Sequence, residues 1–211
     1  MRIAYFTSNR TTLPADPSYV AASNTVTLNI IKQLSKKNEI TLFAAKGSRV
    51  EGVNIVSLGL SPFEIDSSIG NNDWITKAVV GMKQIYIGEI LKNSSVYDII
   101  HLQTEPVYLA MPYVNLIKTP VLFTSHNIFH EYEEPIFKYF DNKIYISMLS
   151  YSQAKTYPLT QSAPVIYNGI DVDKYPFYEN SKGYFLFLGR LTKEKGVYEY
   201  LRLAEINKQD L

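Results

Sequence analysis

Two cations in one loop of this sequence could bind a diphosphate. The stretch "GRLTKEKG" (189–196) places Gly189, Arg190 and Lys195 between an apolar run and a helical pattern. Gly189 allows a tight turn. A guanidinium holds phosphate oxygens in a fork, a lysine adds a point charge, and a helix N-terminus offers free N–H groups. The spacing matches neither the Walker motif nor the dinucleotide fingerprint, and a solvated strand-to-helix loop is the competing interpretation.

Histidines supply the second candidate chemistry. His126 and Asn127 follow an apolar run, at the end of a strand where ligands bind in parallel α/β sheets. An imidazole there could donate a hydrogen bond to a sugar hydroxyl or a phosphate oxygen. His101 lies inside another apolar run, which favours a structural histidine over a ligand-binding one. No carboxylate stands at a spacing that would complete a metal site or a Ser–His–Asp triad, so we expect no metal.

Composition limits the functional class. The chain has 211 residues, of which 46% are hydrophobic and 19% charged, so we expect a packed core and little disorder. The net charge of +1 gives no broad basic field, which argues against nucleic acid as a partner. The absence of cysteine excludes disulfides and thiolate metal sites and is compatible with a reducing compartment.

Neither a secretory leader nor a spanning helix is indicated. Polar residues interrupt the first apolar run at Ser8, and no apolar run reaches about 18 residues. We therefore expect a cytoplasmic protein. Peripheral membrane contact through the first domain stays open, but its lysines and arginines are few and fit a solvated surface better.

Short apolar runs alternate with helical patterns along most of the chain. This alternation predicts an α/β fold, a Rossmann-like parallel sheet flanked by helices. Asn24 and Asp73 are the predicted N-caps of the first two helices. The predicted strands cover 2–7, 39–44, 53–57, 97–102, 120–126 and 143–147, and the predicted helices cover 24–37, 73–91, 107–117, 131–140 and 148–156.

The same pattern predicts two domains. Residues 1–167 form the first, the turn-rich and proline-containing segment 168–183 is a linker, and 184–211 supply the first strand and helix of an incomplete second domain. The predicted strand, 184–188, would leave an apolar face without neighbours. We therefore expect self-association through this truncated domain, docking on the first domain, or poor order.

Several stretches, in order, resemble the glycosyltransferase family 4 enzymes, which have the two-domain GT-B fold. "VIYNGIDVDKYPF" is similar to the junction between the family's domains, and "FLFLGRLTKEKGVYEYLRLAE" to the opening of its donor-side domain. The other matching stretches, in the first domain, are "MRIAYFT", "NTVTLNIIKQLSKKNEITLFAAKGS", "YDIIHLQ" and "PVLFTSHN".

The resemblance implies transfer of a sugar from a nucleotide-diphosphate sugar to an acceptor, with retention at the anomeric carbon and without a metal or other cofactor. It assigns Arg190 and Lys195 to the donor diphosphate and His126, as the catalytic candidate, to the transferred sugar. In the loop after the first strand, Ala21 and Ala22 stand where the family has two glycines, and Asn24 lies near the position of a common glutamate. Alanine adopts positive φ at a cost, so close approach of backbone to phosphate is in question there.

The partners implied are a nucleotide-sugar donor and a sugar, glycan, lipid or small-molecule acceptor. The family's donor-side carboxylates would lie beyond Leu211, so we expect the fragment alone to be inactive. An alternative is a non-catalytic acceptor-binding module that a partner chain completes. A different GT-B enzyme, such as a sugar-nucleotide epimerase, fits the "NGID" and "GRLTKEKG" pair less well.

Overall fold

A computed structural model describes residues 1–17, 22–63, 73–103, 106–160, 163–180 and 183–207, without the side chains of residues 73 and 74. The chain divides into two compact units, Met1–Ile170 and Asp171–Leu211. This division falls inside the predicted linker 168–183. The assignment of the units to an acceptor-side and a donor-side domain stays a prediction.

Six parallel strands form the sheet of the first unit, in the order β3-β2-β1-β4-β5-β6. The strand order reverses between β1 and β4, which is the topology of a Rossmann-like sheet and confirms the predicted fold class. The strands are β1 Arg2–Phe6, β2 Glu39–Phe43, β3 Asn54–Val56, β4 Ile99–Leu102, β5 Val121–Thr124 and β6 Tyr145–Ser147.

The helices that flank the sheet are shorter than predicted near one proline. Residues 107–109 and 111–116 form 3-10 turns where one α-helix was expected, because Pro112, inside the predicted helix, has no N–H to donate to the preceding turn. The α-helices are α1 Ala22–Leu34, α2 Asp73–Lys92, α3 Glu134–Phe140, α4 Tyr151–Ala154 and, in the second unit, α5 Val197–Asn207.

Alternation along the buried strands builds a core on each face of the sheet. Tyr5 and Leu42 point to one face and pack with Ile31 of α1. Phe6 and Phe123 point to the other face, where α2 covers them with residues such as Tyr86. The Tyr86 hydroxyl donates to two carbonyl oxygens, those of Ala44 at 3.1 Å and Ser57 at 2.9 Å, at the ends of β2 and β3.

The second unit lacks the strand predicted at its beginning. Residues 184–188 form no strand, because the described chain offers them no neighbouring strand to pair with. A hydrogen bond from the Tyr200 hydroxyl to the Phe185 carbonyl, at 2.9 Å, ties this segment to α5 instead. The helix α5 itself was predicted and is confirmed.

Candidate functional site

The carboxyl ends of β1, β4 and β5 lie level with one another. Phe6 pairs with Leu102, and Leu102 pairs with Phe123, so the residues that follow each strand emerge at one edge of the sheet. The strand order reverses between β1 and β4, which is the place where parallel α/β sheets bind their ligands. This edge is therefore the candidate site of the first unit.

Three buried polar side chains meet at that reversal. The Thr27 hydroxyl donates to Gln103 Oε1 at 2.9 Å and lies 3.2 Å from the Thr7 hydroxyl oxygen. Thr7 and Thr27 are fully buried, and Gln103 is 3% exposed. Thr7 and Gln103 directly follow β1 and β4, so the strand-end rule that identified His126 could also have identified them. Thr27 lies one turn inside α1 and has no comparable sequence signal.

The loop after β1 is held by two buried asparagines, Asn9 and Asn24. The Asn24 amide donates to the Thr11 hydroxyl at 2.6 Å and to the Thr12 carbonyl at 3.4 Å. Asn24 lies inside α1, so its prediction as the N-cap is wrong: its amide is buried under the loop and cannot face the first N–H groups of the helix. The side-chain oxygens of Asn9 and Asn24 are buried acceptors without a partner in the described part of the chain.

The other residues predicted for this loop contribute less. Ala22 is the first residue of α1 and is exposed. Ala21 lies outside the described residues.

His101 is built into the sheet. Its Nε2 lies 2.8 Å from the Thr124 hydroxyl oxygen, which lies 2.8 Å from the Ser147 hydroxyl oxygen. The ring packs on Tyr5 at a centroid distance of 4.5 Å. Burial, with a smaller effect of the neighbouring His126, lowers the pKa of His101 to about 4. His101 is therefore a neutral member of a cross-strand chain of hydrogen bonds at neutral pH.

His126 follows β5 at the candidate edge and is half-buried. Burial lowers its pKa below the ordinary value, so the ring is neutral at pH 7 and offers one donor and one acceptor. Asn127 has an exposed side chain, but its carbonyl accepts from the Gln153 amide at 2.6 Å and from the Tyr157 hydroxyl at 3.2 Å. Gln153 also donates to the Ser125 carbonyl at 3.1 Å, so α4 fixes the backbone on both sides of His126.

Arg190 and Lys195 both lie in the second unit, in the loop that leads into α5. The Arg190 guanidinium lies 3.5 Å from a carboxylate oxygen of Glu194, and both side chains are exposed. Hydrogen bonding of this carboxylate to the backbone and to Thr192, together with the charges of Arg190 and Lys195, lowers the pKa of Glu194. The sequence prediction overlooked this acidic neighbour. Its carboxylate pairs with the Arg190 guanidinium, which an anionic ligand would need.

Gly189, where the sequence predicts a tight turn, does not adopt the left-handed conformation that only glycine takes at little cost. A Cβ at Gly189 would meet the Phe187 ring at an ordinary contact distance of 3.5 Å, and its φ lies outside the left-handed region. The positive φ of this loop, 75°, belongs to Gly196, which ends the 3-10 turn Lys193–Lys195 and precedes α5.

Within the described ranges, no group of three or more histidine and carboxylate side chains could hold a metal ion. None of the helices in those ranges is long and apolar enough to cross a membrane.

Comparison with known proteins gives a structural likeness at low identity. No family model matches the chain, and no curated protein matches it. The crystal structure of MurG from Acinetobacter baumannii aligns with a TM-score of 0.41 and 9% identity, over 78% of this chain and 45% of MurG. The chain thus spans less than half the length of that protein, and a likeness of this size assigns neither family nor function.

Proposed function

We propose that this chain belongs to a retaining glycosyltransferase with the GT-B fold, of the family 4 type. The observation that carries the proposal is a neutral, half-buried His126 at the carboxyl end of β5, beside the reversal of strand order. A neutral imidazole can hydrogen-bond a sugar hydroxyl without placing a positive charge against the sugar. The ordered motifs that end in "NGID" and "GRLTKEKG" support the same function.

In this proposal the donor is a nucleotide-diphosphate sugar. Arg190 and Lys195 bind its diphosphate and stabilise the negative charge that develops on the leaving group. His126 contacts the transferred sugar, and Gln153 positions His126 through the flanking carbonyls. The acceptor is a sugar, a glycan, a lipid or a small molecule.

Removal of either cation tests the diphosphate assignment. We expect Arg190→Ala and Lys195→Ala, in the full-length protein, each to lower kcat/KM for a nucleotide-diphosphate sugar by about 10- to 100-fold, since each removes a charge-assisted contact. The measurement is donor turnover with UDP-, GDP- and ADP-linked hexoses. Arg202→Ala, which removes an exposed cation of α5 outside the loop, is the matched control.

Unchanged kcat/KM in both loop variants would remove the diphosphate assignment. No turnover and no donor binding with any of these hexoses would contradict the transferase and favour the non-catalytic module. The exposed apolar surface of the second unit, where Leu186 is 72% and Leu188 is 93% exposed, is the feature that a completing partner chain would cover.

A further inference from the structure

A cleft of about 330 Å³ lies within the first unit, on the face of the sheet that carries α1. Ile30 and Leu34 of α1 form one wall, Ile166 lies on the other, and Ile99 and Leu122 line the sheet between them. The cleft follows β4 from Ile99 past its carboxyl end, a distance of about 13 Å at the rise of a β-strand. Its shape is that of a groove suited to an extended apolar chain.

Polar groups are confined to the sheet side of this groove. His101, Thr124 and Ser147 line it, but they hydrogen-bond one another in the cross-strand chain described above. The Ser147 hydroxyl also donates to the Phe123 carbonyl at 3.4 Å. These side chains are largely satisfied within the protein.

Gln103 differs from these residues, because its side-chain oxygen is hydrogen-bonded but, within the described chain, its side-chain nitrogen is not. The side chain is 3% exposed, lines the cleft, and accepts the Thr27 hydroxyl through Oε1 at 2.9 Å. Its amide nitrogen has no hydrogen-bond partner among the residues that the structure describes. An unpaired amide donor at the end of an otherwise apolar cleft offers a ligand oxygen one well-placed polar contact.

The described side chains that line the cleft carry no formal charge. No lysine, arginine, aspartate or glutamate is among the described residues that line it. The N-terminal ammonium of Met1, at the other end, is bonded to the Asn38 side chain at 3.3 Å. At the Gln103 end, away from this ammonium, a carboxylate or phosphate head would lose its hydration without gaining a countercharge from a side chain.

We propose that this cleft binds an uncharged amphiphile, an aliphatic chain that lies along β4 and ends in one oxygen that accepts from the Gln103 amide. The chain fills the space between α1 and Ile166, as apolar ligands fill pockets of this size with few, well-placed polar contacts. The proposal is independent of the transferase function, since it uses neither His126 nor the loop of Arg190.

The test uses 1-octanol and octanoate as a matched pair of probes against the full chain, with calorimetry and amide chemical shifts as readouts. We expect saturable binding of octanol, shifts confined to the segments that line the cleft, chiefly β4, β5, the carboxyl half of α1 and residues 166–169, and at least tenfold weaker binding of octanoate. Gln103→Leu should weaken octanol binding about tenfold, because it removes the donor and keeps the apolar wall.

Filling the cleft supplies the control. Leu122→Trp should abolish octanol binding, whereas Leu116→Trp, at a 76% exposed position outside the cleft, should leave it unchanged. Ile166→Trp, at a 61% exposed position on the rim, serves if Leu122→Trp does not fold.

Three results would overturn the proposal. They are no saturable octanol binding up to its solubility, equal binding of octanol and octanoate, and unchanged octanol binding by the cleft-filling variants. Concentration-dependent dimerisation that Leu122→Trp or Ile166→Trp abolishes and Leu116→Trp keeps would also overturn it, and would assign the cleft to a second copy of the chain.

Discussion

At the residue scale, the two histidines near the candidate edge differ in how the protein holds them. His101 is fixed by Thr124 and the Tyr5 ring, whereas His126 stands where the strand ends, with its flanking carbonyls held by Gln153. The strand-end rule named both positions, and the apolar run around His101 favoured a structural role for it, whereas a ligand-binding role for His126 stays a prediction. The rule could not foresee Thr27 or Glu194, whose roles depend on neighbours from other parts of the structure.

The pKa of His101 predicts a loss of stability in mild acid. The folded-state pKa of about 4 lies below the ordinary value of 6.5, so the unfolded chain binds more protons between these two pH values. The contribution of His101 is therefore complete above pH 6.5 and falls as pH decreases toward 4, by roughly 2–3 kcal/mol.

Chemical denaturation at pH 7.5, 5.5 and 4.5 measures this effect. His101→Gln should flatten the pH dependence of the free energy of unfolding relative to the native sequence. His130→Gln, at an exposed position, should leave that pH dependence intact. Parallel curves for His101→Gln and the native sequence would show that His101 does not titrate as described.

Glu194 limits the affinity of its loop for anions. Glu194→Gln removes the carboxylate beside Arg190 and should tighten binding of a nucleoside diphosphate by about two- to fivefold, a small effect because the ion pair is exposed to solvent. Titration calorimetry at low salt measures the change, with Glu205→Gln on the exposed side of α5 as the control. Weaker binding by Glu194→Gln would mean that Glu194 orients Arg190 for its ligand.

At the scale of the elements, apolar runs predicted the six strands of the sheet to within a few residues. The run 184–188 has the same composition and forms no strand, because a strand requires hydrogen-bonding neighbours that a local pattern does not supply. The proline at 112, inside the predicted helix, explains why no α-helix forms after β4. The N-cap at Asn24 failed because a buried loop contact uses the same amide.

Two glycines give opposite predictions for one substitution. Gly196 has a φ of 75°, so Gly196→Ala should destabilise the start of α5 by about 1 kcal/mol, although the one described atom near the added methyl group is a Glu199 carboxylate oxygen, at 3.8 Å. Gly88 lies in the middle of α2, and among the described residues a methyl group added there would meet nothing within 4 Å beyond the helix's own backbone, so Gly88→Ala should stabilise the first unit by about 0.5–1 kcal/mol.

Amide exchange along α5 and thermal unfolding of the first unit measure the two effects. Faster exchange in α5 for Gly196→Ala and a higher Tm for Gly88→Ala are the expected results. A higher protection of α5 in Gly196→Ala would contradict the left-handed turn.

At the scale of the whole molecule, the two units differ in how well their backbones are hydrogen-bonded. In the first unit, the six-stranded sheet pairs the backbone N–H and C=O groups of its strands. Residues 184–188 have no such strand pairing in the described chain. Amides of 184–188 should therefore exchange with solvent orders of magnitude faster than those of β5 in a dilute monomer. Equal protection of both segments would show that 184–188 pairs with another strand in solution.

The hydroxyl of Tyr86 joins α2 to the carboxyl ends of β2 and β3. Because this hydroxyl is hydrogen-bonded to the carbonyls of Ala44 and Ser57, one side-chain atom of α2 contacts the residues that follow two adjacent strands. Phenylalanine at this position would remove the hydroxyl donor from the Ala44 carbonyl, whereas the Ser57 carbonyl would keep the Leu60 N–H at 2.9 Å. This position should accordingly drift far less than its equally buried aliphatic neighbours on the same helix.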